Sequence, residues 1–564
     1  MIKNKIIYLL SITILAVTLS SCSFGKESII EEVQSGSVTD FFSKNSDNEL
    51  EVYFLDMDNI STGDDDPVRT YNTIATTSVG SCESYIIKSG NTEILVDAGY
   101  QTFESDSCTK EDYPYTFTYQ NLKDNIYSNL LKKITSICTD GILDYLIVTH
   151  NDFDHIASLC VEGGVIDAFN SHEVITNLDG NNVELQKISN VIDYNSGVIA
   201  LHSYSEIDKS KRLCKALYQT YITKVSDLVE NGANYLPAAA LFDYDIIASD
   251  DSKMTLENKL LATPNNMKKN LEEFNTRILT ESNPNDAAKE FVNDTPKNSS
   301  YKTNVEKLNG SLNVENGKYY YSIPLESESE LRILYNWYYD FAYKQSFNGQ
   351  SINNPSVCFE VVNENFKFLS CGDLGGNGES GLINYYSDTS ILNDVTLFKA
   401  SHHGSISNSE NSEALYSIIL PKIIVVTGCA QSPLEVKNVT AAYMKQGFFD
   451  NIYNAYHDEE GNLKEKVYEE SYLLCTNMDW YRLNELNNLS MNESKPFYGD
   501  IHIYYKEKRT HLDYSYTGNI HALVKTGPSD DVVDFKTVED GKIVKIQETE
   551  WFKKVGFTYG GDNI

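Results

Sequence analysis

The stretch His150-Asn151-Asp152-Phe153-Asp154-His155 constrains this chain more than any other. It follows directly on residues 143–148, a short apolar run that reads as a buried strand. Four ligand-type side chains in six residues suit a turn wrapped around metal ions. Imidazole favours zinc, iron and manganese, and carboxylates favour harder ions. Alternate residues His150, Asp152 and Asp154 can project to one side of an extended turn, with His155 opening a helix. The plainer alternative is a polar loop whose side chains cap that helix.

Other apolar runs end the same way. Residues 84–87 and 93–96, joined by Ser89-Gly90-Asn91, read as a hairpin that leads into Asp97-Ala98-Gly99. An opening strand over 50–55 leads to Asp56. Strands over 356–361 and 366–369 lead to Gly372-Asp373, and one over 395–399 leads to Ser401-His402-His403-Gly404-Ser405. Ligands at several strand ends imply one shared edge, and glycines beside them let backbone approach a crowded site. Residues 122–137 carry apolar positions at helical spacing, with Gly141 as a stop. Residues 205–345 read as a mainly helical insertion, with amphipathic helices over 210–231 and 266–279 that are expected to pack over or beside the metal cleft.

Composition limits the partners. The 564 residues are 41% hydrophobic and 23% charged, which is ordinary globular usage, and the net charge is −35. Strong general binding to nucleic acid is not expected, because that affinity comes from Lys and Arg. A phosphodiester neutralised locally by metal ions stays open.

The N-terminus reads as a signal: Lys3 and Lys5, then an apolar run over 6–19, then Leu19-Ser20-Ser21-Cys22. That tetrapeptide resembles the bacterial lipobox, whose cysteine is lipidated. The expected organisation is a signal peptide over 1–21, a flexible tether over 22–48, a main domain over 49–525 and a C-terminal extension over 526–564. The protein would then sit outside the cytoplasm, held to a bacterial membrane by lipid on Cys22. None of the ten cysteines forms a CxxC pair, so a structural zinc finger is not expected.

Taken in order, these motifs resemble the metallo-β-lactamase superfamily, and within it the extracytoplasmic domain of ComEC-type proteins and their stand-alone relatives. The superfamily's HxHxDH motif corresponds to His150-x-Asp152-x-Asp154-His155, with Asp in place of the second His as in that branch. Phe54-Leu55-Asp56, residues 94–99, Asn354-x-Ser356, Gly372-Asp373 and Lys399-x-x-His402-His403-Gly404-Ser405 match further landmarks. Two departures stand out. Gly80-Ser81-Cys82-Glu83 occupies the place of a Gly-Gln-Gly-Asp run, and Gly428-Cys429-Ala430-Gln431-Ser432-Pro433 lacks the usual His-Pro.

The resemblance implies a four-layer αββα sandwich and two divalent ions: zinc, manganese or iron. His150 and Asp152 would hold one; Asp154, His155 and one of His402 or His403, with His402 preferred, would hold the other; Asp373 would bridge them. Asp97 and Asp56 would orient ligands, and Lys399 or Ser405 would hold an anionic substrate. Asp154 would also accept a proton, and His172 or His202 are candidates for a third imidazole on the first ion. The implied activity is hydrolysis by metal-activated hydroxide, with a lean toward phosphodiesters or nucleic acid. A small ester, lactone or amide is the alternative substrate, and a non-catalytic binding or scaffold lipoprotein is the alternative of another class.

Overall fold

The computed structural model describes residues 30–34, 49–55, 83–99, 126–194, 212–242, 301–336, 353–431, 446–464, 471–480, 483–484, 488–489, 495–498, 500–514, 520–524, 533–539 and 542–545. Asp56, Cys22, His202, the 266–279 helix and the signal peptide lie outside them.

Local sequence sets the first hairpin. Gly90, at φ +61°, opens a two-residue turn with Asn91 that pairs Ser89 with Thr92. The strands it joins, Tyr85–Ser89 and Thr92–Val96, are almost wholly buried. They belong to a sheet of nine described strands. Its order is Ile30–Gln34, Arg509–Tyr514, Ile501–Lys506, Leu50–Phe54, Tyr85–Ser89, Thr92–Val96, Ile142–Val148, Lys187–Asp193 and Asn234–Pro237. Thr92–Val96 and the three strands after it in this order run parallel.

A second sheet runs from Ser311–Glu315 through Lys318–Pro324, Glu330–Leu334, Phe359–Asn363, Phe366–Ser370, Leu397–Lys399, Ile423–Gln431 and Ser471–Trp480. It continues through Ile520–Val524, Val533–Glu539 and Lys542–Lys545. From Phe366–Ser370 to Ser471–Trp480 the neighbours are parallel.

Period-two alternation sorts this sheet's side chains onto two faces. Phe368, Leu397, Ile423 and Val425 enter a core shared with Val52, Phe54, Ile87 and Val96 of the first sheet. Leu369, Phe398, Ile424 and Val426 form a second core. That core is completed by Leu382 of helix Gly376–Tyr386, Leu415 and Ile419 of helix Glu413–Ile419, and Phe448 and Ile452 of helix Gln446–Tyr456. Helix Ile126–Ile137 adds Leu130 and Ile134 to the first core. The architecture is mixed α/β, with two large sheets that share a core and helices packed against them.

Three boundaries differ from the sequence reading. The described parts of 205–345 are not mainly helical. Helix Arg212–Glu230 is present, but Asn234–Pro237 extends the first sheet, and three strands from Ser311 to Leu334 build the edge of the second. In the tyrosine-rich run 318–324, Tyr319, Tyr321 and Ile323 pack on the shared core and Tyr320 on the second one, a strand signal obscured by the polar hydroxyls. Helix Arg212–Glu230 is an integral part of the fold: Tyr221, Ile222 and Val225 are in the main core. It packs on helices Phe153–Cys160 and Val165–Asn170. Part of the expected tether, Ile30–Gln34, pairs in parallel with Arg509–Tyr514, and part of the expected extension joins the second sheet. Both gain a ladder of backbone hydrogen bonds that a free segment lacks. Cys160 and Cys358 are buried thiols, as their apolar context indicates. Among the described residues no helix is long and apolar enough to cross a membrane.

Candidate metal centre

Four strands, one parallel pair from each sheet, deliver the candidate residues. Thr92–Val96 ends in Asp97, Ile142–Val148 in Thr149-His150, Phe366–Ser370 in Gly372-Asp373, and Leu397–Lys399 in His402-His403. Close backbone approach demands glycine at two of these ends. A Cβ on Gly99 would lie 1.5 Å from the Asp154 carbonyl oxygen, and one on Gly372, at φ +54°, would meet the Thr149 Cβ at 2.7 Å. The Asp154 loop is stitched down there: Glu83 N donates to Asp154 O at 2.8 Å, and Ala98 N donates to His155 O at 2.7 Å. Asp97, His402 and His403 themselves adopt left-handed backbone, at φ +53°, +48° and +53°. Such conformations cost about 1–3 kcal/mol each and cluster where tertiary structure overrules local preference.

The capping alternative for the His150–His155 loop does not describe it. Asp152 occupies the N-cap position of helix Phe153–Cys160, yet its side chain makes no cap hydrogen bond. Its Oδ2 instead lies 3.7 Å from His150 Nε2.

Four imidazoles converge on one carboxylate oxygen. From Asp373 Oδ2, the Nε2 atoms of His155, His403, His150 and His402 lie at 3.2, 3.5, 3.8 and 3.9 Å. Each ring is tied outward through Nδ1. His155 donates to Asp97 Oδ2 at 2.7 Å, His402 to Glu410 Oε1 at 2.9 Å, and His403 to the Thr427 carbonyl oxygen at 2.8 Å. The Thr149 hydroxyl gives its one proton to Asp97 at 2.5 Å, so His150 Nδ1 donates to Thr149 Oγ1 at 3.1 Å. All four rings thus turn Nε2 inward, the arrangement that outer hydrogen bonds impose on metal-binding histidines.

Charge follows geometry. Burial alone would raise the Asp373 carboxyl, but His155, His403, Lys399 and His402 outweigh it and hold it well below the usual carboxylate range. Asp154 is likewise lowered against burial by the hydrogen bond from His403 and the charge on His155. Burial would lower His155, but Asp373, Glu83 and Asp97 raise it. His402 is pushed up to about 9 against burial by Asp373 and Glu410.

The residues fit a metal ion. The buried Nε2 atoms of His150 and His155 have no hydrogen-bond partner among the described residues. Ligand atoms of Glu83, His155, Asp373 and His403, all buried, lie within 4.8 Å of one another. The buried end of the site is therefore His150, His155, His403 and Asp373. The open edge carries Asp152, His402 and Asp154, whose side chains are 28%, 19% and 15% exposed.

Six sequence candidates thus meet here with His403 and Asp97. Of the two adjacent histidines, His403 is the more buried and approaches both Asp373 and Asp154, the latter at 3.3 Å. Lys399 and Ser405, expected to meet an anionic substrate, are both buried rather than exposed at the open edge. Lys399 is completely buried between Glu83 and Asp373, and Ser405 is buried with its hydroxyl on Ser407. His172 stays outside the cluster, its ring on the Leu185 carbonyl. Glu83, Glu410 and Thr149 were not singled out from sequence. Glu83 alone had a signal, its place opposite a landmark acidic residue. In comparisons with known proteins, no family model matches the chain and no curated protein matches it.

Proposed function

We propose that this protein is a metal-dependent hydrolase with a four-layer metallo-β-lactamase-type sandwich, acting at the outer face of a bacterial membrane to which Cys22 tethers it by lipid. The fold reading is supported by the two sheets sharing one core and by the helix-covered outer face of the second sheet. The observation that carries the activity is the convergence of four outward-tethered histidines on Asp373 Oδ2.

His150, Asp152, Asp154, His155, Asp373 and His403 would hold two divalent ions, with His402 completing the open side. Bound there, the ions supply Lewis acidity and an activated water. The chain's own groups do the rest. Asp97 and Glu410 keep their histidines in the Nδ1–H form. Asp154 Oδ2, held in its charged form by His403 and His155, serves at the open edge as a ligand rather than as the proton acceptor, and His402 Nε2 faces an incoming anion there. Three carboxylates beside the imidazoles favour a harder ion such as manganese and an oxygen-rich substrate, so a phosphodiester leads over a small ester or lactone.

The test is metal analysis of the purified protein joined to a panel of chromogenic phosphodiester, ester and lactam substrates. Chelator-sensitive turnover of at least one class is expected. A protein that binds no divalent ion and turns over none of them is a scaffold, and the proposal fails.

A further inference from the structure

We infer that Lys399 is a positioning residue that takes Asp373 Oδ1 out of the site, leaving Oδ2 as the single oxygen offered to both ions; the inference rests on the metallohydrolase reading above. Lys399 closes the strand Leu397–Lys399, on the face whose Leu397 lies in the shared core. Its side chain is completely buried, where an ammonium persists only with compensating partners. It has three: the Gly372 carbonyl oxygen at 3.0 Å, Asp373 Oδ1 at 3.3 Å, and Glu83 Oε2. None of the four histidine ion pairs uses Oδ1; all go to Oδ2. The carboxylate is therefore divided, one oxygen to the protein's own cation and one to the imidazole ring.

Glu83 serves that cation. Its Oε2 meets Lys399 and accepts from Thr427 Oγ1 at 3.1 Å, while Oε1 has no hydrogen-bond partner among the described residues. Thr427 also fixes His403 through its carbonyl oxygen. One seam at the end of the inter-sheet core thus sets both the bridging carboxylate and a histidine. Without Lys399, Asp373 is free to rotate and to chelate one ion with both oxygens, at the expense of the second.

A charge-balanced pair separates positioning from mere neutralisation. The full-length lipid-free protein is prepared as wild type, Glu83→Gln and Lys399→Met/Glu83→Gln. Manganese stoichiometry and affinity are measured by chelator competition, and the spin-coupled two-manganese signal by electron paramagnetic resonance. Thermal unfolding in chelator controls for folding. We expect Glu83→Gln to keep both ions, because Lys399 still holds Oδ1. The double variant should melt near Glu83→Gln but bind its second ion about 10- to 100-fold more weakly and lose the coupled signal. A double variant with wild-type affinity and signal overturns the inference and leaves the hydrolase reading standing. Loss of an ion from Glu83→Gln, the fallback if the double variant does not fold, overturns it too, by making Glu83 a ligand. A wild type that binds no manganese, zinc or iron removes both.

Discussion

His155 Nδ1 and Asp97 Oδ2 lie 2.7 Å apart, and both side chains are completely buried. Asp97 spends its remaining capacity on Thr149, accepting from the backbone N at 2.8 Å and from the hydroxyl at 2.5 Å. It therefore holds two consecutive pieces of the site, the His150 turn and the His155 ring. Asp97→Asn keeps the shape and tolerates the left-handed backbone, but removes the charge. Metal affinity should fall about 10- to 100-fold by chelator competition. Unchanged affinity would show that the pair does not orient a ligand.

Asp373 is the most sensitive position expected. Four Nε2 atoms face its Oδ2, and two divalent ions placed close together repel each other strongly without an anion between them. Asp373→Asn should lower bound metal and abolish hydrolysis. His172→Ala, outside the cluster, should leave both near wild type. Full metal and full activity in Asp373→Asn would refute the binuclear assignment.

Glu360 should make stability pH-dependent away from the site. It is fully buried on the strand Phe359–Asn363, and burial lifts its carboxyl from the usual 4.5 to about 7, against the pull of Lys367 and Arg332. Folding then takes up a proton between those values, so this contribution is complete below pH 4.5 and is lost as pH rises through 7. Glu360→Gln should stabilise the protein above pH 7 by about 1–3 kcal/mol and have little effect below pH 5. Its cationic neighbours keep other partners, Glu330 for Arg332 and the carbonyls of Ile391 and Asn393 for Lys367. Denaturant melts of both proteins at pH 5 and pH 8 give the answer, and an equal difference at both pH values would contradict it.

Phe368 ties the two sheets together. Its ring meets Phe54 and Tyr85 of the first sheet, each at 5.8 Å, and Phe359 of its own sheet at 6.0 Å, all edge-on. Phe368→Ala should cost about 3–5 kcal/mol, measured by chemical denaturation, through lost burial and the cavity left behind. A cost under about 1 kcal/mol would mean that the sheets do not depend on this contact.

Local order along the chain was enough to pick out the candidate ligand residues that the fold brings together. An apolar run that ends in His150-x-Asp152-x-Asp154-His155, and others ending in Asp97, Asp373 and His402-His403, are readable because a strand and the turn that follows it are encoded by adjacent residues. The first hairpin was readable for the same reason. Only the tertiary structure decided how those ends divide the work. Whether His402 or His403 is the buried partner of Asp373 depends on Glu410 and Thr427, which hold the two adjacent rings through different outer partners. Lys399 reads as a substrate contact until Glu83, more than 300 residues earlier in the chain and just before the strand Tyr85–Ser89 of the other sheet, closes over it. The strands in 205–345 were equally hidden, since Tyr320 and Tyr321 show their two-residue period only once each has a sheet face to occupy. Residue type and spacing are local properties, whereas burial and ion pairing exist only after distant strands meet, and those set which oxygen of Asp373 faces the imidazoles.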